Sequence, residues 1–384
     1  MPFPPYPDVP SPATWVDGGP LLTTALRDDV TNAVLFLANR PAFTGYCTSA
    51  PSIPGTFANT AVTLDTEVID TWGQHWPLGS YPQYYFVPVE GYYLAEGYVP
   101  FAYNSTSEAT FTAGIQSGNI SNVTTYIGEM HPNASSRNPG VIVSDIITMS
   151  NPGAVDASGV SVLGLACSQN SGAGVSLDGS GATTLLPRLS VRWVCSVTGT
   201  APLPVPGNPS WPVPPAYIDQ SWLNPNVRDT INFLIYPPLL RYTYRAGTYQ
   251  LPTGTFPVGN PVPLDTLTND NYSGWSQSAN GGGGAYVVPA NGVYYCHGMV
   301  VYGPSSSPGN YWVGFSINGN QAQWCKGVQA EATGAGVSIA AVKRLRLTAG
   351  QTVTLMGAQS TGSKLQIVGS GQPVTKLIML WESA

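Results

Sequence analysis

Charge is scarce in this chain of 384 residues, with Asp, Glu, Lys and Arg making up 9 % against about 25 % in an average soluble domain. With 14 Lys and Arg against 20 Asp and Glu, the net charge is -6, which excludes nucleic-acid binding through a broad basic surface. Histidine occurs only at His75, His131 and His297, and none has a paired metal-ligand spacing such as HExxH. No run approaches the roughly 20 uncharged apolar residues that span a bilayer, so membrane insertion is not expected. Residues 1–12 lack the basic and apolar regions of a signal peptide, which implies synthesis in a cytoplasm without secretion. The five cysteines (Cys47, Cys167, Cys195, Cys296, Cys325) are odd in number and form no CxxC, so they read as mostly buried thiols rather than a disulfide framework. The shortage of Glu, Lys, Leu and Ala excludes a long-helix protein.

Turn formers and rings are plentiful instead. There are 43 Gly, 36 Pro, 21 Tyr and 10 Trp, and 43 % of the chain is hydrophobic, too much for a disordered chain. What remains is an all-β chain with many turns and a surface polarised by Ser, Thr, Asn, Gln and Tyr.

The most specific signal is an internal duplication with a spacing of about 200 residues. Thr24-Ala25-Leu26 through Val30, Val34, Phe36-Leu37 and Pro41 matches Ser221-Trp222-Leu223 through Val227, Ile231, Phe233-Leu234 and Pro238. Val62-Thr63-Leu64-Asp65-Thr66 matches Val262-Pro263-Leu264-Asp265-Thr266. Val87 to Tyr93 matches Val288 to Tyr294, and Leu189 to Trp193 resembles Leu377 to Trp381. The order is kept and the spacing drifts slowly, as loop insertions would cause.

Each copy divides into three parts. Pro-rich arms at 1–22 and 200–219 favour extended, semi-rigid chain. Helices are predicted at 23–40 and 220–237, ended by Pro41 and Pro237-Pro238. Leu26, Val30, Val34 and Leu37 fall on one face of the first helix, and Leu223, Val227, Ile231 and Leu234 on one face of the second. Asn224-Pro225 supplies an N-cap followed by Pro at the first helical position. The β domains span 45–199 and 245–384.

Alternation between turn signals places strands near 61–65, 83–89, 92–101, 109–116, 141–148, 160–166 and 189–197 in the first copy. In the second they fall near 262–265, 285–288, 293–302, 312–317, 337–347, 352–358, 364–368 and 376–381. Asn291-Gly292 and Asn318-Gly319 read as tight turns. Seven or eight short antiparallel strands per copy make each a two-sheet sandwich of jelly-roll type. The fold class is therefore all-β, two tandem jelly-roll sandwiches, each preceded by a Pro-rich arm and one short helix.

Catalytic patterns are sparse. No G-x-S-x-G elbow occurs; Gly174 to Asp178 comes nearest but ends in Asp. The run Gly281 to Gly284 lacks the Lys-Ser/Thr of a phosphate loop. Glu90, Glu96, Glu108, Glu129 and Asp145 are available carboxylates, yet nothing selects a glycosidase pair. Asn269-Asp270-Asn271 offers oxygens but no complete Ca²⁺ loop, and reads as a turn. No catalytic, metal or cofactor site is expected. Trp72, Trp76, Tyr81, Tyr84 and Tyr85, with Tyr272 and Trp275 at the matching place, form aromatic clusters. They either stack on host-surface glycan or fill the sheet interior and subunit interfaces.

The run from Tyr286-Val287-Val288-Pro289 through Gly292-Val293-Tyr294-Tyr295, Phe315 to Gly319 and Leu347 to Val353 resembles the globular head of complement-type, tumour-necrosis-factor-like jelly rolls. Leu223 to Asp229, with Phe233-Leu234 and Pro237-Pro238, resembles the helix preceding such heads in minor tail proteins of phages of actinobacteria. The first copy departs from the head pattern, with Ile115-Gln116-Ser117-Gly118 in place of the Asn-Gly turn. The resemblance implies a homotrimer, located in a virion, that binds other virion proteins through its N-terminal arm. It implies a minor tail protein, or alternatively a capsid decoration protein or head fibre. The eight helix residues named above would then form trimer stems, because a lone amphipathic helix buries its stripe poorly. The alternative is that each helix packs on its own β domain.

Overall fold

The computed structural model describes residues 30–49, 51–102, 109–119, 122–133, 140–150, 152–153, 159–177, 186–197, 227–247, 249–254, 256–277, 284–320, 323–330, 336–369 and 374–383. The arms at 1–22 and 200–219, together with Leu26 and Leu223, lie outside these residues.

The first half begins with helix α1 (Asn32–Ala38) and strand β1 (Ala42–Tyr46). There follow β2 (Ser52–Ile53), β3 (Thr60–Ala61), β4 (Thr66–Asp70), β5 (Tyr84–Phe86), β6 (Gly91–Pro100) and β7 (Ala109–Asn119). It ends with β8 (Asn122–Asn133), β9 (Gly140–Met149), β10 (Ser161–Gln169), β11 (Val175–Ser176) and β12 (Arg188–Cys195). The second half opens with α2 (Asp229–Ile235) and β13 (Leu239–Thr243), then β14 (Gln250–Leu251), β15 (Asn260–Pro261), β16 (Thr266–Asp270), β17 (Trp275–Ser276) and β18 (Ala285–Val287). It closes with β19 (Gly292–Tyr302), β20 (Gly309–Ile317), β21 (Gln323–Ala330), β22 (Val337–Leu347), β23 (Thr352–Gln359), β24 (Leu365–Gln366) and β25 (Lys376–Ser383).

The pairing repeats strand for strand. One sheet of the first half runs β4-β1-β12-β6-β9, and its counterpart runs β16-β13-β25-β19-β22. The facing sheets are β8-β7-β10, with β3 and β5 on β10, and β21-β20-β23, with β15 and β18 on β23. All these pairings are antiparallel, and the two halves are jelly-roll sandwiches of one topology.

Local chemistry repeats as well. Asp65 accepts the Thr48 and Ser49 amides, and Asp265 those of Arg245 and Ala246. Gln169 ties Ile53 and Ala173, and Gln359 ties Leu251 and Ser363. The indoles of Trp193 and Trp381 donate to the Glu90 and Asn291 carbonyls at 3.1 and 3.0 Å.

The strand pattern departs from expectation in several places. Strands β1, β4, β13 and β16, which extend the sheets beyond β12 and β25, are not among the expected strands, and β13 lies outside the expected β domain at 245–384. The 61–65 and 262–265 segments are largely crossings rather than strands; their apolar residues Val62, Leu64, Val262 and Leu264 plug the sandwich interior. Strands β8 and β21 were not legible, because Gly, Thr and single charges interrupt their alternation. Asn318-Gly319 is a tight turn, with both residues left-handed at φ 54° and 69°. Asn291-Gly292 is not: Gly292 opens β19, and a Cβ there would lie 2.2 Å from the Trp381 indole nitrogen.

The helices are each held by one ring. Phe36 meets Trp193 edge-on at 5.0 Å, and Phe233 meets Trp381 at 4.9 Å. In α2, Ile231 and Ile235 enter the core of the first half while Phe233 packs in the second. Of the residues expected to form stems, Val227, Ile231, Val30 and Leu37 pack on the first half's core, and Leu234 packs beside Phe233. The physical reason is that α2 lies between two sandwiches and finds apolar surface on both. Of the expected stripe, Val34 stays exposed, and Leu35 beside it is 61 % exposed.

Candidate functional site: the seam between the halves

The two sandwiches meet through residues that alternation points away from their own cores. On β25, Leu377 and Met379 face inward, so Lys376, Ile378, Leu380 and Glu382 face the other half. With Leu239 and Tyr295, Ile378 and Leu380 meet Leu94, Ile146, Val194 and Cys195 in one buried cluster. Edge strand β8 also touches β22 through the Met130–Ser338 pair, which makes a ten-stranded sheet across the halves.

A charged cluster sits inside this seam. Asp145, 2 % exposed, accepts from Lys376 Nζ at 2.8 Å and from Arg241 Nε and its terminal nitrogen at 3.1 Å each. Lys376, 3 % exposed, also donates to the Ser144 carbonyl at 3.2 Å. The Tyr295 hydroxyl bonds Glu96 at 3.1 Å and shares a 2.7 Å bond with Ser144 Oγ. At the rim, Glu382 binds Arg192 of the first half and Arg344 of its own.

Burial pushes the Asp145 carboxyl up, but the Lys376 ammonium and the Arg241 guanidinium win and hold it well below the usual carboxylate range. Burial lowers the Lys376 ammonium, and Asp145 offsets part of that. Burial also raises the Tyr295 hydroxyl, so it stays a donor. Because the folded carboxyl is depressed, the unlatched state binds more protons as soon as pH falls through the ordinary Asp value of about 3.9. The seam is therefore expected to hold from neutral pH to about pH 4 and to loosen progressively below it. Small-angle scattering across an acid titration checks this.

The seam is directional. Aligning the halves by register sets Tyr93 with Tyr294 and Trp193 with Trp381, and so Asp145 with Lys343, Lys376 with Arg188, and Arg241 with Thr44. Repeating the contact with the halves exchanged would bring Lys343 toward Arg188, two like charges. The docking is thus built for one order of the two copies.

A cavity of about 150 Å³ lies along the seam beside Tyr92, Ile146, Thr148, Leu239, Arg241 and Asn269. It holds no nucleophile–base pair. Of the five carboxylates available in the sequence, Glu96 and Asp145 are both engaged by seam partners, Glu96 by Tyr295 and Asp145 by Lys376 and Arg241. Glu108 and the Glu129 side chain lie outside the described residues. Asp270 takes the Gly274 and Trp275 amides, and Asn271 the Leu239 amide, as a turn does. Among the described residues no three His, Cys, Asp or Glu side chains gather as a metal site, and no helix is long and apolar enough to cross a membrane.

The aromatic clusters divide. Tyr84, Tyr85 and Tyr272 are buried, Trp275 stacks on Tyr242, and Trp72 packs on Phe36. Trp76 remains exposed. All five cysteines are free, four of them buried. Sequence reasoning missed the seam; its trace is a lysine opening the otherwise apolar run Lys376-Leu377-Ile378-Met379-Leu380.

No protein-family model matches the chain, and no curated protein sequence matches it. Among solved structures, the globular domain of a zebrafish complement 1qA protein is similar at 12 % identity and a TM-score of 0.27, over 38 % of this chain and 99 % of that one.

Proposed function

We propose that this chain is a non-enzymatic structural protein of a bacteriophage particle, a minor tail protein that forms trimers. The observation that carries the reading is the latched pair of like sandwiches. Two copies of one module are joined by a buried, ion-paired seam that fixes their order. Low charge and Gly/Pro-rich turns suit a part that works by shape. The Pro-rich arm at 1–22 serves as the anchor to other virion proteins.

Immunogold labelling of intact particles, with antibody against the purified chain, tests the location. Gold on the particle is expected; label confined to the soluble fraction of lysed cells overturns the reading.

Trimer formation is supported by the apolar pair that α1 turns to solvent, Val34 at 49 % and Leu35 at 61 % exposure. Light scattering of the purified chain is expected to give three copies, and a V34D/L35D double variant is expected to give one. A single-chain mass for the unaltered protein removes the trimer. Val227 and Ile231 are unsuitable for this test, because they pack on the first half's core within the chain.

A further inference from the structure

The second half carries an aromatic shelf away from the seam. Phe256 lies between β14 and β15, and its ring rests almost flat on Trp312 of β20, centroids 4.4 Å apart and planes inclined by 21°. Trp324 of β21 flanks it at 5.7 Å. The Trp324 indole is itself fixed, donating to the Pro257 carbonyl at 2.6 Å. The chain passes this ring only as Gly259, at φ +77°, where a Cβ would sit 2.7 Å from the Trp324 ring. Two tryptophans thus brace a phenylalanine that is nonetheless 46 % exposed, beside Val258 at 66 %. Exposed rings are ordinarily scattered singly; this one is mounted.

Beyond Gly259 a groove of about 520 Å³ opens, lined by Val258, Pro261, Gly319, Asn320, Thr354 and Met356. Among the described residues, no charged side chain lines it. Its size falls within the roughly 300–1,000 Å³ of small-ligand sites. A protein partner would need about 800 Å² of contact on each side, with a broad apolar centre; one phenyl face and one valine do not supply that. The absence of cationic side chains argues against phosphate or carboxylate ligands. An exposed aromatic face next to a groove whose exposed polar side chain is the neutral amide of Asn320 matches a molecule with a C–H face and a hydroxyl edge.

The first half is a built-in comparison. Gly55-Thr56-Phe57 follows β2 as Gly254-Thr255-Phe256 follows β14, but Phe57, 40 % exposed, is left-handed at φ 61° and donates its amide to the Gln169 carbonyl, as Gly254 at φ 70° does to Gln359, so it stands at the place of Gly254 rather than of Phe256. Register sets Phe111 opposite Gln169 and Tyr311 opposite Gln359, so Thr112 occupies the place of Trp312. Each copy exposes a phenylalanine in this loop, but neither its position nor the Trp312 brace is shared.

We infer that the Phe256 shelf and its adjoining groove bind a neutral saccharide, with a pyranose face on the Phe256 ring and hydroxyls toward Asn320. This goes beyond the virion reading and does not depend on it.

The test is a ligand-observed NMR titration of the purified full chain with four neutral hexasaccharides: an α-glucan, a β-glucan, a mannan and a galactan fragment. Saturable binding to at least one is expected. Phe256→Ala is expected to weaken it by about tenfold or more, as loss of a central anchor does, and its circular dichroism should match the unaltered chain. Phe57→Ala is expected to leave binding unchanged. No saturable binding to any of the four, binding that survives Phe256→Ala, or equal loss in Phe57→Ala each overturns the inference. Particle labelling can fail while this binding persists, and the reverse, so the two readings fall separately.

Discussion

Asp145→Ala is expected to destabilise the docking of the two halves by about 3–5 kcal/mol, because it strands the Lys376 ammonium without its partner. Lys376 is almost fully buried and its remaining acceptor is the Ser144 carbonyl. Arg241 reaches further toward solvent, with 21 % of its side chain exposed, and can relax. The asymmetry makes a second variant informative. Replacing both partners, as Asp145→Leu with Lys376→Met, removes the desolvation cost together with the attraction. That double variant is expected to recover most of the loss, since apolar pairs of similar volume often equal a buried ion pair. Two-stage chemical unfolding, read by circular dichroism and by scattering, distinguishes a parted seam from a melted sandwich. If Asp145→Ala unfolds in one step at the original midpoint, the ion pair does not hold the seam.

The same pair explains what the sequence could and could not disclose. The duplication was legible because it is carried by residues whose roles are local and repeated. Asp65 and Asp265 satisfy turn amides, and Gly91 and Gly292 make room for indoles. Such residues cannot change without breaking their own half, so the two copies still match. The seam was not legible, because docking one copy on the other requires the copies to differ. Asp145 against Lys343, and Arg241 against Thr44, are places where an alignment of the halves shows only mismatch. In the first helix a stripe counted at helical spacing selected Val34, yet among the described residues Ala33 and Phe36 are the buried ones, and Phe36 meets Trp193. A helix face answers to the surface beneath it as well as to its own periodicity. Strands β8 and β21 were lost because Gly, Thr and single charges interrupt their alternation.

Trp193→Ala is the second large effect, with an expected cost of about 3–5 kcal/mol, the range for removing a buried large aromatic. Three contacts meet in this one side chain. Its indole donates to the Glu90 carbonyl at 3.1 Å, its face takes the edge of Phe36 at 5.0 Å, and Arg40 lies over the ring at 5.7 Å. The ring is 1 % exposed and fills the space that Gly91 leaves, where a Cβ would come within 2.1 Å of the indole nitrogen. Removing it therefore opens a cavity and frees α1 together. In a domain of about 150–250 residues each kcal/mol moves the melting midpoint by roughly 2–4 °C, so a fall of about 10 °C in differential scanning calorimetry is the expected result. Trp193→Phe keeps part of the volume but loses the bond to Glu90, and is expected to fall between. Gly91→Ala reaches the same ring from the opposite side. It is expected to cost about 1–3 kcal/mol by overpacking, and combined with Trp193→Ala its penalty should shrink but not vanish, because the added methyl gains the vacated space yet still lies 2.9 Å from the Cys195 carbonyl oxygen. Full additivity of the two losses would show that Gly91 is needed for its backbone alone and that the indole does not dictate it.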